Sequence, residues 1–154
     1  MFGQDLMMFE KKVNFDKKNR IYLPAKTKVD IHEGIVLYNE IYDDESFLTI
    51  WGLYIFEKEY NKLKKYMNDA KKAGDFDRAG KINHQIKYMR EQIVKNIKTD
   101  VQKRITIAKN IQDEYKLGKE VILYSEFDHI YIFKDEEELQ HYKIKIKENN
   151  KKRS

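Results

Sequence analysis

The side chains best suited to chemistry in this chain are two arginines that follow an aspartate at the same spacing. Asp16 precedes Arg20 and Asp100 precedes Arg104, each across a short polar turn that leads into an alternating apolar strand. An arginine guanidinium binds phosphate oxygens and can also contact the O6 and N7 atoms of guanine. The structural alternative is that each aspartate pairs with its arginine and fixes the shape of the turn. Both roles can hold at once, and the sequence leaves them open.

Basic residues cluster around the first of these turns and at the end of the chain. Residues 9–28 hold seven basic and two acidic side chains, and residues 143–154 hold six basic and one acidic, so each segment carries a net charge of +5. A polyanion, either nucleic acid or an anionic membrane surface, is the natural partner for such clusters. A solvated lysine-rich face is the alternative explanation.

The sequence gives little support to catalysis or to a bound metal. It has no cysteine, which excludes disulfides and thiolate metal sites. We find no pair of metal-like spacing among the histidines, no nucleophile elbow around the serines and no glycine-rich phosphate loop. The residues considered are His32, His84, His129, His141, Ser46, Ser125 and Ser154. We therefore expect a protein that is not an enzyme and that uses no cofactor or metal.

The apolar segments are too short for a membrane span. The first eight residues also lack the basic leader and apolar stretch of a secretory signal. These features predict a cytoplasmic location and no membrane partner.

The two arginine turns belong to a longer internal repeat. Residues 16–24 correspond to residues 100–108 at an offset of 84 positions, which Gly34 and Gly118 also keep. Apolar strands follow in both copies, at 35–38 and 121–124 and again at 47–51 and 129–133. Because each copy is too small to bury a core alone, we expect the two copies to share one.

The segment between the copies has the periodicity of helices. Apolar residues recur at three and four positions in two runs, separated by Gly74 and by Asp75, which is suited to cap a second helix. The first run is Tyr60, Leu63, Met67 and Ala70, and the second is Phe76, Ala79, Ile82, Ile86, Met89, Ile93 and Ile97. The pattern predicts an antiparallel helical hairpin over residues 57–98.

The repeated motif resembles a known family. The series from Asp16 to Ala25, a short connection, an apolar strand and then Leu48 to Trp51 is similar to the SpoVT/AbrB-type swapped-hairpin fold, and two such copies in one chain resemble the MraZ family of transcriptional regulators. That family usually has glycine before the arginine. Asn19 and Lys103 stand there in this chain, and a left-handed backbone is less comfortable for lysine than for asparagine.

The intervening hairpin resembles the UVR motif, which other proteins use for protein contacts. The likeness lies in the spacing of Phe76, Ala79 and Ile82 after Gly74 and Asp75. The same positions must be filled by any helical hairpin that closes its own core. A spacer or an oligomer-packing element is therefore the alternative to a docking module.

These resemblances imply an α+β fold, in which a double SpoVT/AbrB-like swapped-hairpin β-barrel core carries the inserted antiparallel helical hairpin. The expected organisation is a first copy over residues 1–56, the hairpin over 57–98, a second copy over 99–142 and a basic, frayed tail over 143–154.

The resemblance also implies a function. We expect a transcriptional regulator that forms homo-oligomers, associates with the nucleoid and binds double-stranded DNA through the basic turns. The expected DNA-contacting residues are Lys11, Lys12, Lys17, Lys18, Arg20, Lys26, Lys103, Arg104 and Lys109. The alternatives are an adaptor that binds a protein partner through residues 57–98, and an antitoxin-like protein that binds both DNA and a toxin.

Overall fold

A computed structural model describes residues 9–24 and 34–153 of the chain. The strands are β1 (Glu10–Asn14), β2 (Arg20–Tyr22), β3 (Ile35–Tyr42), β4 (Glu45–Gly52), β5 (Ile93–Ile97), β6 (Arg104–Thr106), β7 (Glu120–Glu126) and β8 (His129–Phe133). The helices are α1 (Leu53–Lys72), α2 (Phe76–Glu91), α3 (Lys109–Glu114) and α4 (Glu136–Arg153).

Strands of both copies form one antiparallel sheet. The order is β1-β7-β8-β4-β3-β5, and a separate two-stranded ribbon consists of β2 and β6. The repeat offset of 84 positions carries β1 to residues 94–98, so β5 is the first strand of the second copy and not part of the hairpin as predicted. Each first strand pairs with the other copy, β1 with β7 and β5 with β3, while β4 and β8 pair at the centre. The expected α+β class and the shared core are thus confirmed. The described strands form an open sheet and a ribbon, and they do not close into a barrel.

The ribbon covers one face of the large sheet, called the inner face here. Ile21 and Ile105 project from the ribbon and pack with residues such as Leu37, Leu123 and Ile130, all at most 1% exposed. Burying a side chain of this size contributes roughly 1.5–3 kcal/mol. The alternation of apolar residues along the short strands therefore fixes which side of the ribbon faces the core.

The opposite, outer face of the sheet is covered by α4 at the second copy. Leu139 and Tyr142 of this helix are buried against an aromatic cluster that includes Phe47, Tyr131 and Phe133. Aromatic rings that meet edge to face, such as Phe47 and Tyr142, add to the packing energy.

The basic tail was expected to be frayed, and this prediction is wrong. The tail is helical, because α4 continues to Arg153. Ion pairs join it to the sheet: Lys145 contacts Asp43 and Glu45 at 3.1 and 3.0 Å, and Lys143 pairs with Glu10. These acceptors lie far away in sequence, so the pattern of the tail alone did not indicate them.

The predicted helical hairpin is present as α1 and α2. Gly74, at φ +77°, makes the turn, and the Asp75 carboxylate accepts a hydrogen bond from the Arg78 N–H at 3.2 Å, which caps α2. Ala79 of α2 is buried as predicted, whereas Phe76 is 71% exposed and does not belong to the apolar face.

The second helix is shorter than predicted. It ends at Glu91, and Ile93 and Ile97 lie on strand β5 and not on a helix face. The Gln92 N–H donates a hydrogen bond to the last turn of the helix. The Gln92 side-chain oxygen accepts a hydrogen bond from the Asn39 amide at 2.9 Å. Pairing with β3 decides the outcome, because the edge of that strand would otherwise lack hydrogen-bond partners.

In the part of the chain that the structure describes, none of the helices is both long and apolar enough to cross a membrane.

Candidate nucleic-acid interface

The two arginine turns have the same geometry. Asp16 accepts hydrogen bonds at Oδ1 from the backbone N–H groups of Lys18 and Arg20, at 2.8 and 3.0 Å, and at Oδ2 from Arg20 Nε at 2.8 Å. We call this arrangement an Asp–Arg clamp. It satisfies backbone donors of the turn and orients the guanidinium at the same time.

The second clamp repeats the first one bond for bond. Asp100 accepts at Oδ1 from the N–H groups of Gln102 and Arg104, both at 2.9 Å, and at Oδ2 from Arg104 Nε at 2.7 Å. The pairing that the sequence suggested as a structural role is therefore present in both copies. It uses the Nε atom, so the terminal amino groups of each guanidinium are not needed for the clamp.

Hydrogen bonds lower the pKa of both clamp aspartates. The Arg104 N–H is the largest influence on the Asp100 carboxyl, ahead of an opposing desolvation effect and the Arg104 side chain. At Asp16, desolvation raises the pKa, but the bonds from Arg20 and Lys18 outweigh it. The hydrogen bond from Arg104 to Asp100 raises the pKa of that arginine in turn. Both aspartates thus remain charged near neutral pH.

The residue before each arginine adopts the left-handed backbone that the motif implied. Asn19 has φ +62° and Lys103 has φ +59°. Asn19 is also held by Gln112 of α3, whose amide donates to Asn19 Oδ1 at 3.1 Å and to the Ile107 carbonyl at 2.7 Å. Lys103 occupies its position despite the steric cost of a Cβ atom there.

The ribbon places the two clamps at its opposite ends. Ile21 pairs with Ile105 at the centre, Arg20 pairs with Thr106, and Tyr22 pairs with Arg104. Two further backbone bonds at 2.9 Å, from Leu23 to Lys103 and from Ile107 to Asn19, tie each turn to the other copy's strand.

One face of the ribbon points away from the sheet. Because side chains alternate along a strand and the two central isoleucines face the core, their neighbours face outward. We call this the ribbon face, and its residues are Arg20, Tyr22, Arg104 and Thr106.

Tyr22 makes the two halves of the ribbon face unequal. It is 57% exposed, and the Arg104 guanidinium carbon lies 5.7 Å from the centre of its ring, a cation–π contact. The corresponding residue of the second copy is Thr106, so Arg20 has no such aromatic partner on the opposite strand. Sequence reasoning did not select Tyr22 or Thr106, although their alternation with buried isoleucines was a usable signal.

Four of the expected lysines lie close to the clamps. Lys17, Lys18 and Lys103 are exposed within the turns themselves. Lys109 begins α3, the helix that contacts the first turn through Gln112, and it forms an exposed ion pair with Asp113 at 3.6 Å. The structure therefore gathers these four lysines and both arginines around one ribbon.

The remaining expected residues are more distant. Lys11 and Lys12 are exposed on edge strand β1, where alternation directs them to opposite sides of the sheet. Val13 packs into the inner core, so Lys11 shares the side of the ribbon and Lys12 lies on the outer side. Lys26 lies outside the described residues.

A comparison of the chain with models of known protein families finds no match.

Proposed function

We propose that this protein binds double-stranded DNA through the ribbon face and its flanking turns, and that it acts as a transcriptional regulator. The observation that carries the proposal is the pair of matching Asp–Arg clamps at the two ends of one exposed two-stranded ribbon. The DNA major groove is about 12 Å wide and admits a two-stranded β-ribbon. A ribbon with an arginine on each strand therefore suits that groove.

The chemistry of the turns matches this partner. The clamps hold the guanidinium groups in place before binding, which reduces the conformational entropy lost on DNA contact. Arginine can bind a guanine edge or a phosphate, while Lys17, Lys18 and Lys103 suit phosphates as point charges. Each phosphate contact releases counterions, so affinity should fall steeply as salt rises.

The cross-pairing of the copies supports the finer fold proposal. Each copy contributes its first strand to the other copy's hairpin, as expected of a SpoVT/AbrB-like swapped-hairpin protein of the MraZ type. We extend the proposal to homo-oligomers that present several ribbons along DNA, because multivalency raises avidity without new contacts. Nucleoid association in the cytoplasm would follow from such binding.

The test compares the wild type with the double variant Arg20→Ala/Arg104→Ala in DNA titrations over a salt series. We expect the variant to bind at least tenfold more weakly and to lose roughly one unit of salt slope per phosphate contact removed. The single change Arg20→Ala should cost more than Arg104→Ala, because Lys17 and Lys18 flank the first clamp.

Two controls make the result specific to the ribbon. Lys65→Ala/Lys81→Ala removes the same charge from exposed positions of the hairpin and should change affinity far less. Arg20→Lys/Arg104→Lys retains the charge but not the guanidinium fork, so it separates phosphate attraction from base recognition. Equal weakening by the hairpin variant, or no DNA binding at low salt, would overturn the proposal.

An adaptor function is the second candidate, and the exposed aromatic rings of the hairpin favour it. Phe76 is 71% exposed, and Tyr66 and Tyr88 are also exposed on α1 and α2. Replacing residues 53–92 by a flexible linker tests this candidate. DNA binding that survives while a co-purifying protein is lost would favour the adaptor, whereas an unchanged set of bound proteins would count against it.

A further inference from the structure

A cavity lies between the outer face of the sheet and the helical hairpin. It has a volume of about 240 Å³, and three aromatic rings form much of its wall: Tyr38, Trp51 and Phe56. Leu63 and Met89 of the hairpin add apolar surface. Sites for drug-sized ligands occupy roughly 300–1,000 Å³, so this cavity suits a smaller group.

Two carboxylates line the same cavity, Glu40 from β3 and Glu59 from α1. The Glu40 Oε2 atom is buried, and none of the residues that the structure describes donates a hydrogen bond to it. A buried acceptor in this condition is costly and requires an explanation, such as a bound group that supplies the missing donor. Burial raises the pKa of the Glu40 carboxyl, which His129 opposes and Glu126 reinforces.

The aromatic rings are held in fixed positions. Trp51 Nε1 donates to Thr49 Oγ1 at 3.2 Å, and that hydroxyl donates to the Tyr38 carbonyl at 3.0 Å. The Trp51 ring stacks on the His129 ring, with 4.3 Å between the ring centres and 6° between the ring planes. The centres of the Tyr38 and Phe56 rings lie 5.5 Å apart. The wall of the cavity is therefore organised before any ligand arrives.

We propose that this cavity binds an organic ammonium group, with the aromatic rings around the cation and Glu40 as its counter-charge. The faces of Trp, Tyr and Phe rings attract cations, and the attraction grows when the cation leaves water. Glu59 adds a second negative charge at the hairpin wall. A neutral ligand of the same shape would leave the Glu40 carboxylate without a partner.

The proposed site is independent of DNA binding. The ribbon lies on the inner face of the sheet, while the cavity opens on the outer face beside the hairpin. A ligand in the cavity would not occupy the ribbon face, and loss of DNA binding would not remove the cavity.

Trp51 lines the cavity and is the single tryptophan of the chain, so its spectroscopic signals report on this site directly. tert-Butylammonium chloride, whose N–H groups can donate to Glu40, is titrated into the protein at constant ionic strength, with the Trp51 indole N–H followed by NMR and its emission by fluorescence. We expect a saturable shift of both signals. Neutral tert-butanol should give a much weaker response, and an equal response to it would overturn the proposal.

The variant Glu40→Gln keeps the size of the side chain and removes its charge. We expect it to remain folded and to bind tert-butylammonium at least tenfold more weakly. Glu57→Gln, an exposed change on the same helix as Glu59, is the matched control and should bind as the wild type does. Unchanged affinity in folded Glu40→Gln would contradict the role of the carboxylate.

A second probe identifies the source of the ammonium group. Nα-acetyl-lysine methylamide presents the same charge at the end of a protein side chain. Tighter binding of this probe than of tert-butylammonium would assign the cavity to a partner's lysine, and the reverse would assign it to a free small amine. Failure of both probes to shift Trp51 would overturn the proposal.

Discussion

The two clamp arginines are chemically alike but have different neighbours. Arg20 and Arg104 make the same bonds to their aspartates, and their side chains are 26% and 20% exposed. Arg104 also lies over Tyr22, whereas the residue paired with Arg20 is Thr106. The repeat therefore duplicates the clamp and leaves the surface around it free to differ.

The clamps should give stability that depends on pH. The pKa of Asp16 and Asp100 is lowered in the folded chain, so their contribution is present above the unfolded value, about 3.9, and is lost as pH falls through the folded value. We expect Asp16→Asn/Asp100→Asn to have a lower Tm than the wild type at pH 7. The difference should shrink as the pH is lowered from about 4 to about 2.

Thermal unfolding followed by circular dichroism at several pH values measures this effect. Glu57→Gln/Glu120→Gln removes the same charge from exposed positions that make no ion pair with a described residue. Its Tm should differ little from that of the wild type at pH 7. If the Tm of the clamp variant stays below that of the wild type by the same amount down to pH 2, the charge of the aspartates does not account for the stability that the clamps give.

At the scale of elements, the internal repeat contained the information needed to predict strand β5. The offset of 84 positions places β1 on residues 94–98, which overlaps β5 almost completely. Spacing alone did not decide the matter, because Ile93 and Ile97 are four residues apart and also fit one face of a helix. The repeat was the stronger signal, because it relates this segment to β1, which is a strand that pairs with the other copy.

Gly34 and Gly118 occupy equivalent places in the repeat but meet different constraints. Gly34 has φ +121°, and a Cβ atom there would lie 3.0 Å from the Ile97 carbonyl oxygen of β5. A Cβ atom on Gly118 would meet no atom of the described part of the chain within 4 Å. The close approach of β5 therefore explains why one glycine is required and the other is not.

We expect Gly34→Ala to destabilise the fold by about 1–3 kcal/mol, because it combines backbone strain with a clash against main-chain atoms. Gly118→Ala is the matched variant and should lie within roughly 0.5 kcal/mol of the wild type. Urea unfolding of both proteins measures the difference. Similar unfolding midpoints would mean that β5 does not lie against Gly34 as described.

At the scale of the whole molecule, the hairpin is an insertion between strands of one sheet. Its helices begin after β4 and end before β5, and β5 covers the edge of β3. Two deletions separate these parts. One replaces residues 53–92 by a flexible linker of about ten residues and retains β5, while the other removes residues 57–98 and with them that strand.

The first deletion should unfold cooperatively, although with a lower Tm, because it removes Phe56 and exposes part of the outer face. The second should aggregate or lose cooperativity, because it leaves the edge of β3 unpaired and uncovers the inner core beside Val94 and Ile97. Thermal unfolding and size-exclusion chromatography distinguish the two. Equal stability of the deletions would contradict the structural role of β5.

The sequence by itself determined the local features of this protein. Asp16 and Asp100 marked the arginine turns, and Gly74 with Asp75 marked the turn of the hairpin. These features depend on residues within one turn of chain, so residue type and spacing suffice to predict them. The left-handed backbone at Asn19 and Lys103 was implied instead by the resemblance to the SpoVT/AbrB-type motif. The alternation around Ile21 and Ile105 likewise determined which side of the ribbon is buried.

Only the tertiary structure decided what pairs with what. Strand β5 in place of a longer helix, the helical tail held by Asp43 and Glu45, and the Tyr22 contact with Arg104 all depend on partners far away in sequence. The physical reason is that the free energy of these features comes from hydrogen bonds and burial between segments, which a local pattern does not contain. The same is true of the cavity at Glu40, whose walls come from two strands and both hairpin helices.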